Sequence, residues 1–194
     1  MIALAGLPGS GKSTLATRLA HEVNARAQPG AIVALGMDGF HLTKAALRAM
    51  PDPEAAFARR GSPWTFDVGA LAARLQQVRA AWNREPVPWP GFEHDKGDPV
   101  EGAFEVVPST RLILVEGLYL LGSGNGWEAV SAAFDERWFL DTSLDVALER
   151  LVPRHMSAWN LTREQALARI ESNDRFNAEI VARDRPHADW LLED

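Results

Sequence analysis

The nine residues GLPGSGKST, positions 6 to 14, limit what this chain can fold into more than any other stretch of it. They fit the pattern G-x-x-x-x-G-K-[ST], with Gly6, Gly11, Lys12 and Ser13 at the fixed positions. Before them stands MIALA, a short apolar run that reads as a buried parallel strand. After them comes KSTLATRLAHEV, with Leu15, Leu19 and Val23 at helical spacing. Strand, loop and helix in that order give the spelling its meaning. A turn built from Gly6, Leu7, Pro8, Gly9, Ser10 and Gly11 lets several backbone N–H groups point into one concavity, joined by those of Lys12, Ser13 and Thr14. Lys12 then reaches the outer phosphates of a bound polyphosphate, and the Ser13 hydroxyl can ligate Mg²⁺.

Apolar runs of strand length recur at IALAG, AIVALGM, RLILVEG and ERWFLD, with a weaker one at ADWLL. Helical patterns over residues 12–26, 68–83, 126–134, 143–151 and 163–182 fall between most of them. That alternation predicts an α/β domain with a parallel sheet of about five strands and helices on both faces. In DVGALAARLQQVRAAW, Asp67 is placed to cap a helix. The stretch NREPVPWPGFEHDKGDPVEG, residues 83–102, is rich in proline, which suits neither a helix nor a central strand. It is expected to be a long functional loop with a short edge strand at most.

A chain of 194 residues suits a single domain, here residues 1–194, and folding at this size hides roughly 70% of the unfolded surface. It has no cysteine, so nothing ties it to an oxidising compartment. No signal peptide or membrane span is visible, since LILVEGLYLLG is interrupted by Glu116; a cytoplasmic protein is expected. Twenty Lys and Arg against 26 Asp and Glu leave a net charge of −6, which argues against nucleic-acid and membrane partners. The seven tryptophans are scattered with no basic run beside them, and are expected to pack in the core or at its rim.

Parallel sheets bind ligands at the carboxyl ends of their strands. The second apolar run ends in MDGFH with Asp38, the third in LVEGLY with Glu116, the fourth in FLDTS with Asp141. A carboxylate directly after an apolar strand is costly to bury without a partner, which makes Asp38 and Glu116 site candidates. Asp141, ahead of TSLDVALERL, reads better as a helix cap. Phosphoryl transfer needs a cradle, a metal, cations for the moving group, and a carboxylate to orient the acceptor hydroxyl. Lys12 and the loop supply the cradle, Ser13 and Glu116 the metal site, and Asp38 the base. Arg150 and Arg154, in LERLVPRH, are the candidate catalytic cations, with solvated surface arginines as the alternative. Pro153 is expected to break or kink the helix between them, leaving residues 150–162 as a lid.

Taken together, GLPGSGKST, MDGFH, RRGSPWTFD, PGFEHD, LVEGLYLL, RLVPRH and NDRFNA resemble, in order and approximate spacing, the P-loop kinases that include uridine kinases, phosphoribulokinases and bacterial pantothenate kinases. The resemblance spans nearly the whole chain. It is nearest to a bacterial subgroup called nucleoside/nucleotide kinase-like, some of whose members carry a fructokinase label. It implies a P-loop NTPase-type fold, ATP and Mg²⁺ as cofactors, and a small-molecule acceptor: a nucleoside or sugar, with a pantothenate-like compound as the alternative. By the same resemblance Asp38 falls on the catalytic carboxylate, and Asp67 falls where related kinases contact the acceptor, in competition with its capping role. Phe92, Glu93 and His94 fall where uridine kinases carry a Tyr-Asp pair and a later histidine. Phe for Tyr removes a hydroxyl and Glu for Asp lengthens the carboxylate, which counts against uridine itself.

His41 and His94 are candidates to hydrogen-bond an acceptor hydroxyl. Arg59 and Arg60 either bind an anionic acceptor or form an exposed pair, and Asn173 and Asn177, on one helix face, either order the lid or sit in water. A GTPase switch is disfavoured, because neither Asp-x-x-Gly after the third strand nor Asn-Lys-x-Asp occurs. A P-loop regulatory module without transfer activity is the rival from another class. A homodimer is allowed for.

Overall fold

The computed structural model describes residues 1–93 and 97–193; His94 lies outside them. Along the chain run β1 (Ile2–Gly6), α1 (Lys12–Arg26), β2 (Ile32–Gly36), α2 (Lys44–Arg48), α3 (Pro53–Ala58), α4 (Val68–Ala80), β3 (Val87–Glu93) and β4 (Asp98–Val106). There follow β5 (Leu112–Gly117), α5 (Trp127–Ser131), β6 (Glu136–Asp141), α6 (Leu144–Trp159), α7 (Arg163–Arg169), α8 (Arg175–Asp184) and β7 (Trp190–Glu193). A 3-10 turn spans Met37–Phe40, and Ile170–Asp174 is a π turn between α7 and α8.

Among the described residues, five strands form one sheet in the order β2-β5-β1-β6-β7, every neighbouring pair parallel. These are the apolar runs picked out in the sequence, the weak last one included. Successive side chains alternate between the faces. Ala3, Ala5, Leu35, Ile113, Val115 and Phe139 join Leu71, Leu75, Trp89 and Trp127 in the larger core cluster. Ile2, Leu4, Ile32, Leu114 and Leu140 pack with Ala16, Leu15 and Leu19 of α1 in the second. Burial on both faces is why the inner strands read as continuous apolar runs, and β7, at the edge, is largely exposed. β1 lies at the centre, so the loop after it opens between the ends of β5 and β6. No helix among the described residues is long and apolar enough to cross a membrane.

Most of the stretch 83–102 is strand and not loop: β3 and β4 pair antiparallel, with a register shift between Trp89 and Gly91. A two-stranded ribbon leaves each strand one open edge, and Pro88 and Pro90, two residues apart, can share it without removing a ladder bond. Trp89, between them, is fully buried. Its Nε1 donates to Gly36 O at 2.9 Å, and its ring meets Phe40 edge-on with centroids 5.1 Å apart. Burial of the tryptophans is uneven, since Trp89 and Trp127 are core while Trp64, Trp159 and Trp190 are half-exposed or more.

α6 is also unlike its expectation, running unbroken from Leu144 to Trp159 through Pro153. Leu148, Leu151 and Val152 pack against Ala166 and Ile170, and that packing holds the helix together across the proline. Pro153 itself lies on the exposed side with Glu149 and Arg150, where water can take the carbonyl that proline leaves unbonded. The helix ends at Asn160, which caps it in the left-handed region at φ 51°. The candidate lid is therefore the second half of a helix plus its exit turn.

Asp141 does not cap α6, whose N-cap is Ser143. It pairs instead with Arg185, through Nε at 2.8 Å and Nη2 at 2.5 Å. On the same strand Arg137 holds Asp189 at 2.9 and 3.0 Å, which ties β6 to the chain entering β7. Both carboxyls are held below their ordinary value of 3.8 by hydrogen bonds from these arginines. A depressed folded-state value means the stabilisation is present above the unfolded value and is lost as pH falls through the folded one. Melting curves taken between about pH 5 and pH 2 should therefore fall less steeply for Asp189→Asn than for the wild type.

Candidate active site

The phosphate loop owes its shape to two glycines at positive φ, Gly9 at +82° and Gly11 at +93°. Gly9 also permits close packing, since a Cβ there would lie 2.1 Å from Ala147 O of α6. α1 begins at Lys12 with Gly11 as N-cap, with no side-chain cap and no acidic residue in its first turn. The amides of Lys12, Ser13 and Thr14 and the positive end of the helix dipole are thus presented to an anion. Within the loop Ser10 N–H donates to Leu7 O at 3.0 Å, and buried Lys12 folds back with Nζ 3.4 Å from the same carbonyl. Ser10 O accepts from Thr142 Oγ1 at 3.3 Å and from Arg150 Nη1 at 3.4 Å, so β6 and α6 brace the loop from outside.

Glu116 stands in β5 level with Leu4 of β1 and Gly36 of β2. A Cβ on Gly36 would come 3.5 Å from Glu116 Oε1. The Ser13 side chain is near enough to Glu116 to help hold its carboxyl down. Burial pushes Lys12 down from its ordinary value, opposed by the charges of Glu116 and Asp38. Burial pushes Glu116 up, opposed chiefly by Lys12. Asp38 and Arg154 both act on each member of this pair, so four of the candidate side chains share one electrostatic centre. The unbroken α6 explains how: residues four apart on a helix lie on one side, which lets Arg150 brace the loop while the charge of Arg154 acts on the Lys12–Glu116 pair.

Asp38 is carried by the Met37–Phe40 turn, which is clamped from two directions. A Cβ on Gly117 of β5 would strike Met37 Sδ at 2.6 Å, and one on Gly39 would lie 2.1 Å from Pro90 O of β3. The Asp38 side chain itself is 46% exposed. His41 Nδ1 lies 2.9 Å from Asp38 O and 3.9 Å from Asp38 Oδ1. The His41 ring packs on Phe66 and on Phe92, with centroids 4.0 and 4.9 Å apart. Asp67 does cap α4, accepting from Ala70 N at 2.8 Å, while its own N–H donates to Phe40 O at 2.8 Å beside the Asp38 turn.

Arg60 is not half of an exposed pair. Its guanidinium lies 5.4 Å from the Phe92 ring centroid, and its nitrogens donate to Gly97 O at 2.5 Å, Leu42 O at 2.9 Å and Asp98 Oδ1 at 3.4 Å. Asn173 and Asn177, for which solvent exposure was one expectation, are both buried. Sequence reasoning gave no role to Thr142, which bonds Ser10 O, or to Asp98, which accepts from Lys44 N at 2.7 Å as well as from Arg60, because these partners lie far along the chain. A shorter-range signal existed for Arg60, which lies in RRGS ahead of the Asp67 cap.

No group of three or more His, Cys, Asp or Glu able to hold a metal occurs among the described residues. Mg²⁺ bound through nucleotide phosphates needs only one or two protein oxygens, and the adjoining Ser13 hydroxyl and Glu116 carboxylate fit that requirement.

Comparison with known proteins shows the family and the fold. The profile of the "Phosphoribulokinase / Uridine kinase family" matches residues 1–192. A Schizosaccharomyces pombe protein named "Putative uridine kinase C227.14" is 35% identical over 194 residues, covering 100% of this chain and 82% of its own. A crystal structure titled "putative fructose transport system kinase", from Silicibacter sp. TM1040, superposes with a TM-score of 0.84 at 34% identity, covering 98% of this chain and 88% of that one. Phosphoribulokinase from Rhodobacter spheroides shares the fold, with a TM-score of 0.71 at 13% identity over 100% of this chain and 69% of its own. The chain belongs to the phosphoribulokinase/uridine kinase family of ATP-binding P-loop kinases.

Proposed function

We propose that this kinase transfers the γ-phosphoryl group of Mg²⁺-ATP to a hydroxyl of a small metabolite, a nucleoside or a sugar, with Asp38 as the base. The convergence of Asp38 and Arg154 on the Lys12–Glu116 pair carries this reading. The acceptor O–H would give its proton to Asp38 as its oxygen bonds the γ-phosphorus and the bond to the β–γ bridging oxygen breaks, releasing ADP. Lys12 and Arg154 stabilise the charge on the transferring group, and Arg150 keeps the loop in shape. Ser13 and Glu116 would hold Mg²⁺, which would supply positive charge to the phosphate oxygens. Residues 150–162 would close over the nucleotide as a rigid helical arm.

Beside Asp38 the packed rings of His41 and Phe92 would form one wall of the acceptor recess, and Asp67, whose N–H bonds Phe40 O of the Asp38 turn, would take an acceptor hydroxyl. The two close relatives support this acceptor class, since the name of one refers to uridine and of the other to fructose. Phe92, lacking a hydroxyl, favours an acceptor other than uridine.

Coupled ADP release measured over nucleosides, pentoses, hexoses, glycerate and pantothenate tests the proposal. One nucleoside or sugar should raise the rate by about 100-fold or more over water alone. ATP turnover indifferent to every acceptor would overturn it. Asp67→Asn separates the two roles of that residue, because asparagine caps a helix as well as aspartate does. Thermal stability should hold while the KM for the acceptor rises by roughly 10-fold, the value of a hydrogen bond to a charged group.

A further inference from the structure

The run from Arg163 to Asp184 is helical throughout, but its middle, Ile170–Asp174, is a π turn. Such turns are rare, insert one extra residue, and recur at functional sites. This one sends consecutive side chains to different parts of the molecule. Buried Asn173 donates through Nδ2 to Arg60 O at 3.1 Å. Asp174 Oδ2 lies 2.8 Å from Nε2 of His155, the buried residue that follows Arg154 on α6.

Parallel bonds reinforce both ends. Arg59 Nη1 donates to Ser172 O at 2.8 Å, the Ser62 hydroxyl donates to Asn177 Oδ1 at 3.1 Å, and the Tyr119 hydroxyl donates to Gly61 O at 2.7 Å. At the other end His155 lies against Trp159, with ring centroids 4.6 Å apart, and Trp159 is covered by the Arg169 guanidinium at 4.1 Å. Residues 59–62 in turn carry Arg60, whose guanidinium ties together Leu42, Gly97 and Asp98 beside Phe92. A continuous series of packed and hydrogen-bonded groups therefore joins the helix bearing Arg154 to the wall of the acceptor recess.

We propose that His155, Asp174 and Asn173 are positioning residues that hold α6 and the 59–62 loop in one frame, so that engagement of phosphate by Arg154 orders the acceptor wall. None of the three needs to touch either substrate. The inference rests on the kinase reading above, because it requires nucleotide phosphate to meet α6.

Hydrogen exchange followed by mass spectrometry, with a non-hydrolysable ATP analogue and Mg²⁺ as the probe, tests it. In the wild type the analogue should slow exchange at residues 6–14 and also, by roughly five-fold, at residues 59–62. His155→Ala removes the bond to Asp174 and none of the bonds to residues 59–62 described above, yet it should abolish the nucleotide-dependent part of their protection. Asn173→Ala should do the same, and His155→Gln, which keeps a donor for Asp174, should retain it. A purely structural role would raise exchange at 59–62 equally with and without the analogue and leave the ratio unchanged.

Protection at 6–14 without any at 59–62 in the wild type overturns the inference, and so does full retention of the ratio in His155→Ala. The wild-type measurement decides even if a variant fails to fold. Absence of protection at 6–14 would instead overturn the nucleotide reading itself.

Discussion

Asp38→Asn should bind Mg²⁺-ATP with close to wild-type affinity and turn it over about 10²- to 10⁴-fold more slowly, the usual contribution of a positioned general base. Asparagine fills nearly the same volume and keeps an oxygen, so the Met37–Phe40 turn, fixed by Gly117 and Gly39 contacts to the backbone and to Met37, should stay in place. What disappears is the ability to take the proton of the acceptor hydroxyl. Calorimetry with the non-hydrolysable analogue and rapid-quench turnover with the identified acceptor separate the two quantities. A turnover near the wild-type rate would make Asp38 a structural residue and leave the site without its base.

Gly9→Ala should damage the protein more broadly. The position has a φ of +82°, and a Cβ there would sit 2.1 Å from a backbone carbonyl and 3.0 Å from Leu151 Cγ. Backbone strain of about 1–3 kcal/mol adds to overpacking of about 1–3 kcal/mol, so a loss of roughly 2–6 kcal/mol is expected in urea titrations. Relief can come only by moving α6 away from the loop, which also withdraws Arg150 from Ser10 O and Arg154 from the Lys12–Glu116 pair. Nucleotide affinity should therefore fall together with stability. Gly30→Ala is the control, having a comparable φ of +79° but open space around the added methyl. It should suffer the strain alone, with nucleotide affinity unchanged.

The inner strands of the sheet were legible because they are covered on both faces and so spell plain apolar runs, and the exposed edge strand β7 gave the weakest run. Asp38 and Glu116 were legible because a carboxylate at the end of such a run is conspicuous. The β3–β4 pair was not, because proline is a strong argument against a central strand and a weak one against a strand with an open edge. Pro88 and Pro90 belong to the second kind. Pro153 misled in the same way: the local rule that proline interrupts helices was outweighed by the packing of Leu148, Leu151 and Val152 against α7 and the π turn. The partners of Asn173 and Asn177 lie 113 and 115 residues away, a separation at which no local pattern signals contact. The same holds for Thr142, whose acceptor Ser10 O is 132 residues distant.

The β3–β4 ribbon has a further consequence. It forms a sheet of its own, apart from the one that carries the phosphate loop, and is seated by the Trp89 indole bond to Gly36 O, the close approach of Gly39 to Pro90 O, and the bonds that Asp98 accepts from Lys44 N and Arg60. The donor half of the pocket is made largely of peptide groups, which mutation of side chains hardly alters, whereas the ribbon contributes Phe92 as an ordinary replaceable ring. Under the proposed function, replacing this ring and its neighbours on the ribbon would retune which alcohol is accepted and leave the phosphate loop as it is.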